Sequence, residues 1–161
     1  MDEISALLEK ANKSIEVADH LAYVTYPMVK EPKLGFTIAE HTLSACLNAT
    51  DALLAYERMF KRIDHYPNSF VSKIDIMKRD IGPRYNIERK HIFIMEDLNT
   101  ILSHRKKANL EFIRRDKLII CDHDFDIRTL TMEKVKSYVY ESKNFLIRIN
   151  TILKSKNDRR H

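Results

Sequence analysis

Apolar residues recur at three- and four-residue steps over most of this chain. Between residues 3 and 26, Ile4, Leu7, Leu8, Ala11, Ile15, Ala18 and Ala22 share one face, the pattern of an amphipathic helix. Pro27 removes a donor and clashes with the preceding turn, so the helix is predicted to end or kink there. Pro32 suits the first position of a second helix. That helix is predicted over 33–63, through Leu34, Ile38, Ala45, Ala49, Ala52, Leu53, Tyr56, Phe60 and Ile63. On the order of 30 residues at ~1.5 Å each spans a small domain. Ala39, Ala45, Ala49 and Ala52 form a small-residue face suited to close helix approach. His65-Tyr66-Pro67-Asn68 interrupts the period. A short amphipathic segment with Phe70, Val71, Ile74, Met77 and Ile81 follows and is closed by Gly82-Pro83. Asn86 reads as the N-cap of a third long helix, with Ile87, His91, Ile94, Leu98, Ile101 and Arg105 in one stripe.

The period changes between residues 115 and 131. Lys117 to Cys121 is rich in strand formers, Asp122-His123-Asp124 is turn-like, and Phe125, Ile127 and Thr129 alternate with Asp126 and Arg128. This predicts a β-hairpin, which must pack on the helices or on a partner. A last helix begins near Thr131, carries Val135, Tyr138, Val139, Ser142, Leu146, Ile149, Ile152 and Leu153, and gives way to a basic mobile tail at 154–161. The expected fold is mainly α: an antiparallel bundle of four long helices plus a short helix, with the hairpin between the third and fourth long helices. Residues 1–153 form one domain in this reading.

Composition narrows the function classes. Two Gly and four Pro in 161 residues are too few for a β-sandwich or barrel, and Gly35 and Gly82 stand alone, so there is no Gly-rich phosphate loop. No apolar run approaches the ~18 residues of a membrane span. The acidic, amphipathic Met1-Asp2-Glu3-Ile4 is unlike a signal peptide. A cytoplasmic protein is expected. Cys46 and Cys121 suggest neither a disulfide framework nor a zinc site, and Cys46, among small apolar residues, reads as a buried thiol.

Charge changes the picture more. The net charge is +5, but residues 1–57 hold 4 Lys+Arg against 9 Asp+Glu, and residues 58–161 hold 24 against 14. The chain is thus acidic in its first third and +10 beyond it, which suits a polyanionic partner. The densest basic stretch holds Arg105, Lys106, Lys107, Arg114, Arg115 and Lys117 against Glu111 and Asp116. It joins a helix end to the hairpin, where a rigid scaffold holds loop residues for binding, and Arg suits phosphate bidentately. Arg84 with Tyr85 is a second candidate, a guanidinium beside an aromatic ring that stacks on an unpaired base.

Catalytic and metal motifs are sparse. Glu88 and His91 make half of a di-iron helix motif, but neither Glu16 with His20 nor Glu40 with His41 supplies the other half. Cys121, Asp122, His123 and Asp124 are metal-like in type, yet neighbours on a strand point to opposite faces. His91, on an apolar stripe, reads as a hydrogen-bonded core histidine. There is no Gly-x-Ser-x-Gly elbow. No metal or other cofactor is expected.

Residues 18–27 (Ala-Asp-His-Leu-Ala-Tyr-Val-Thr-Tyr-Pro), 56–63 (Tyr-Glu-Arg-Met-Phe-Lys-Arg-Ile) and 112–121 (Phe-Ile-Arg-Arg-Asp-Lys-Leu-Ile-Ile-Cys) resemble a group of small archaeal proteins with no established activity. More remotely, the helix order resembles HEPN domains, helical bundles that are commonly dimeric and often metal-independent ribonucleases. That resemblance implies Arg, four to six residues, then His, near the end of the third main helix, with a polar residue after the Arg. Arg58 with His65 and Arg84 with His91 have the spacing, but Met59 and Tyr85 follow the arginines. At the expected place Arg105-Lys106-Lys107-Ala108-Asn109-Leu110-Glu111 has no His. The function expected first is therefore a non-catalytic RNA-binding or ribonucleoprotein-associated module. A HEPN-like metal-independent ribonuclease and a homodimeric protein-interaction module are the alternatives. The homodimer is expected through the small-residue face of the second helix and the hairpin edge.

Overall fold

The computed structural model describes residues 2–158, and the side chains of 3–155. Among these residues the chain is mainly helical, with five helices and one small antiparallel sheet. Helix α1 spans 2–29 as an α segment Asp2–His20, a π turn Leu21–Thr25 and a last turn Tyr26–Val29. Helix α2 is Leu34–Met59. Helix α3 spans 70–85 as Phe70–Ile76, a π turn Met77–Ile81 and Gly82–Tyr85. Helix α4 is Arg89–Lys107, and α5 is Met132–Asp158. Strands β1 (Leu110–Arg114), β2 (Lys117–Cys121) and β3 (Ile127–Thr131) lie between α4 and α5 in the order β1-β2-β3.

Proline does not end α1. The Tyr26 N–H donates to the Leu21 carbonyl, five residues back. The wider π turn takes up the missing donor and the crowding of Pro27, and the helix runs one more turn to a left-handed Lys30 (φ 50°). The same device recurs at Pro83. The Gly82 N–H donates to the Met77 carbonyl, and the helix continues to a left-handed Asn86 (φ 54°). Asn86 therefore stops α3 and does not cap α4, whose N-cap position is Glu88. Asparagine tolerates this conformation, which explains its place there.

The second helix stops at Met59, short of the predicted 63. Lys61 is left-handed (φ 56°), its N–H donates to the Arg58 carbonyl, and the Arg62 N–H donates to the Glu57 carbonyl. This is a Schellman ending with lysine in the usual glycine place.

The predicted hairpin is one half of a three-stranded meander. Leu110–Arg114, expected as a basic loop, pairs with β2 in the register Arg114↔Lys117 and Leu110↔Cys121. The turn between them is two residues, Arg115 and Asp116, both left-handed (φ 51° and 64°). It has the geometry of a tight hairpin turn without the glycine that marks one in sequence. Phe125 lies in the β2–β3 loop, outside the strand expected to contain it. Thr131 caps α5 by accepting the Lys134 N–H through Oγ1. Residues 154–158, expected to be tail, are the end of α5, and 159–161 lie outside the described residues.

Helix α2 is the centre of the packing and meets α1, α4 and α5. Phe36, Ile38, Leu53 and Leu54 of α2, Met77 and Ile81 of α3, Ile92, Met95 and Leu98 of α4 and Phe145 of α5 are fully or almost fully buried. The sheet joins this core through Leu118, Ile120 and Leu130. A Cβ on Gly35 would lie 3.2 Å from Leu118 Cδ1 and 3.6 Å from Leu130 Cδ2, so glycine there lets the sheet close onto α2. None of the described helices is long and apolar enough to cross a membrane.

Candidate nucleic-acid interface

The eight residues expected to bind nucleic acid fall into three groups. Arg84 and Tyr85 end α3 against Glu57, a fully buried carboxylate on α2. Glu57 Oε2 accepts from Arg62 Nη1 (3.4 Å) and is ion-paired with Arg84 Nη1 (3.2 Å), and Arg62 Nη1 also reaches Tyr85 Oη at 3.5 Å. Burial, and then Glu57, push the Tyr85 phenol well above its ordinary range. Arg148 Nη2 donates to the Tyr85 carbonyl at 2.7 Å. Arg84 and Tyr85 are thus engaged in holding a buried charge, which costs several kcal/mol when left unpaired.

Arg105 is engaged as well. Its guanidinium lies 3.9 Å over the Phe36 ring, its Nε donates to Glu111 Oε2 (3.2 Å), and Nη1 is 3.7 Å from Glu40 Oε1. It clamps β1 to α2 across the end of α4 and is half-buried.

The other five, Lys106, Lys107, Arg114, Arg115 and Lys117, are exposed. None forms an ion pair within 4.0 Å among the described residues. Most other described basic side chains beyond residue 57 are paired, among them Lys73 with Asp51, Lys78 with Glu96, Lys90 with Glu141 and Lys134 with Asp97. Lys106 and Lys107 lie at the α4 end that feeds β1. Arg114, Arg115 and Lys117 surround the turn at its far end, roughly 13 Å away at ~3.3 Å per strand residue.

An apolar sheet face lies between these basic ends. Leu118 and Ile120 face the helices, so the alternate positions face outward. The register puts Leu110, Cys121 and Ile127 in one outward row and Phe112, Ile119 and Thr129 in the next. Phe112 is 39% exposed and Ile127 61%. Strand β1 is an edge, with no backbone hydrogen bond beyond its pairing with β2 among the described residues. Sequence spacing marks the cations but not this face, because the basic residues around β1 give it the look of a loop.

Of the two Arg/His pairs, the structure brings one together. Arg58 Nη2 is 3.1 Å from His65 Nε2. The guanidinium only donates, so this imidazole nitrogen accepts and holds a lone pair. Arg58 lines a cleft of about 710 Å³ with Tyr66, Asn68 and Lys73, and His65 lines a neighbouring one of about 390 Å³ with Arg62, Arg79 and Arg84. Arg84 and His91 have separate partners. His91 is buried, donates through Nε2 to Glu141 Oε2 at 3.0 Å and packs on Phe145, as expected of a core histidine. Burial alone would raise the Glu141 carboxyl, but the hydrogen bonds from His91 and Lys90 hold it below its ordinary value. Cys46 is buried as expected, and burial pushes its thiol up to about 12.

The small-residue face of α2 is not available to a second copy. Ala39, Ala45, Ala49 and Ala52 are wholly buried within the chain. Set against models of known families, curated proteins and solved structures, the chain matches none of them.

Proposed function

We propose that this protein binds single-stranded RNA on the outer face of its sheet. The observation that carries this is the set of five unpaired, exposed cations at the two ends of β1, with Phe112 exposed between them. Lysine and arginine at the ends contact phosphates, and a base stacks on the Phe112 ring. The scaffold is read as one antiparallel bundle of α1, α2, α4 and α5 with α3 beside it, in a cytoplasmic protein. The test is fluorescence anisotropy with a labelled single-stranded RNA over a salt series. For single strands each phosphate contact contributes ~0.7 to the log–log slope. The Arg114→Ala/Arg115→Ala/Lys117→Ala variant should therefore lower the slope by about 2, and Phe112→Ala should weaken binding by about 1 kcal/mol or more at constant slope. An unchanged slope in the triple variant overturns the proposal.

The 3.1 Å contact of Arg58 with His65 favours a second reading, HEPN-like cleavage of RNA without metal. In this reading bound RNA draws the Arg58 guanidinium from His65 onto the attacked phosphate, whose charge it stabilises, and the Nε2 lone pair so freed takes the proton of a ribose 2′-hydroxyl. Incubation of RNA with the protein in chelator is the test. Cleavage abolished by His65→Ala supports this reading, and RNA that stays whole with the wild-type chain removes it.

A further inference from the structure

Three ligand-type side chains converge where α4 meets the β2–β3 loop. His104, on the last turn of α4, has a side chain only 10% exposed. Its Nδ1 is 3.9 Å from Asp122 Oδ2 and 4.0 Å from Asp126 Oδ2, and one ligand atom from each residue lies within 4.8 Å of the others. His104 Nε2 is 3.1 Å from the Asp126 carbonyl oxygen. A carbonyl only accepts, so Nε2 carries the proton, and in the neutral ring Nδ1 is a bare lone pair. This nitrogen has no hydrogen-bond partner among the described residues. It is aimed at two carboxylates, both beyond hydrogen-bonding reach.

We propose that His104 Nδ1, Asp122 and Asp126 bind one divalent first-row transition ion of the zinc or manganese class. One imidazole nitrogen and two carboxylates form a donor set for such ions, whereas magnesium and calcium prefer oxygen alone. Metal bonds of ~2.1 Å at tetrahedral angles put ligands about 3.4 Å apart, so side-chain shifts of about 0.5 Å close the site. The bond from Nε2–H to a backbone carbonyl is the usual support that orients a metal-binding histidine. Asp122 is held too, since its Oδ1 accepts the Asp124 and Asp126 N–H groups at 2.9 and 3.0 Å and leaves Oδ2 for the ion. Arg128 Nε lies 3.7 Å from Asp126 Oδ2 on a half-exposed side chain and is the cation the ion displaces. The ion clamps the 122–126 loop onto the end of α4. Sequence could not show this, because 18 positions separate His104 from Asp122.

The test uses the full chain, stripped with chelator and then titrated with Zn²⁺ and, for its visible absorption, Co²⁺. The expected result is one ion per chain, a melting temperature raised by Zn²⁺, and Co²⁺ bands of a site with nitrogen and oxygen ligands. Asp126→Asn and Asp122→Asn keep the size of each side chain, and the amide oxygen that Asp122→Asn introduces keeps the acceptor of the loop turn. Each should weaken Zn²⁺ binding by at least about tenfold, the scale at which even supporting groups act, while the melting temperature of the metal-free protein stays near wild type. Arg128→Gln should tighten binding, and His123→Ala should leave it unchanged. No Zn²⁺ binding by the wild-type chain overturns the proposal. So does binding that Asp126→Asn and Asp122→Asn leave intact, or that His123→Ala abolishes.

Discussion

Gly82→Ala reverses the usual effect of that substitution. Gly82 has helical backbone angles (φ −54°, ψ −54°), and replacing a helical glycine by alanine ordinarily stabilises by ~1 kcal/mol. Here a Cβ would lie 2.8 Å from the Met77 carbonyl oxygen, 0.6 Å inside the 3.4 Å at which ordinary contact begins. The oxygen belongs to the backbone and accepts the Gly82 N–H that closes the π turn, so it cannot move without breaking that bond. Overpacking costs ~1–3 kcal/mol, and a clash with a fixed backbone oxygen falls in the upper part of that range, about 2–3 kcal/mol, which outweighs the propensity gain and leaves a net loss of about 1–2 kcal/mol. At 2–4 °C per kcal/mol for this chain length, the melting temperature falls by roughly 2–8 °C. Calorimetry or urea unfolding reads this directly. Gly35→Ala is the control, because its tight contact at 3.2 Å is the tip of the Leu118 side chain, which can turn aside. Its effect should stay within about 1 kcal/mol. If Pro83 is the reason for the π turn, Pro83→Ala lets the turn relax to an α-helix and relieves the methyl group that Gly82→Ala adds. The double-mutant cycle should then show a coupling of at least ~0.5 kcal/mol. A Gly82→Ala protein as stable as wild type, or more so, refutes the reasoning.

Other expectations concern the site and its supports. Arg105→Ala should destabilise by about 1–2 kcal/mol through loss of the Phe36 stack and the Glu111 pair, yet change the RNA salt slope less than the triple variant at the β1–β2 turn; a larger change in slope would place Arg105 on the RNA. Alkylation of the native protein near pH 8, followed by mass spectrometry, should label Cys121 and spare Cys46, with both labelled in urea, and equal native labelling would contradict the burial of Cys46. The lowered Glu141 carboxyl stabilises the fold above the ordinary carboxylate range, and that stability is lost as pH falls through the lowered folded value. Glu141→Gln should flatten the acid side of the melting temperature against pH, and an acid limb identical to wild type would show that the His91–Glu141 bond contributes nothing to it.

The local code of the chain carries the helices. Apolar spacing of three and four marks α1, α2, α4 and α5, because one helical face must be buried whatever lies opposite. Local composition marks the strand at Lys117–Cys121 and the buried Cys46, and the apolar stripe marks the buried His91, all of which depend on their own neighbourhood of apolar residues. Helix ends are less legible. Prolines 27 and 83 signal stops, but a π turn before each lets the helix pass, and that turn has no sequence signature as strong as proline itself. Arg115-Asp116 makes the β1–β2 turn with two left-handed residues and no glycine, which hides β1.

Tertiary structure decided which charges are free. In sequence Arg84, Arg105, Arg114 and Lys117 are equal members of basic stretches. Folding brings Glu57 to Arg84 from 27 positions away and Glu40 to Arg105 from 65, while among the described residues no carboxylate comes within 4.0 Å of Arg114 or Lys117. It likewise brings Arg58 against His65 and sends His91 to Glu141, although the two Arg/His pairs have equal spacing. Sequence determines where a helix or strand can form, because that depends on near neighbours. Whether a given arginine is neutralised depends on a partner distant in sequence, and only the packed chain supplies its position.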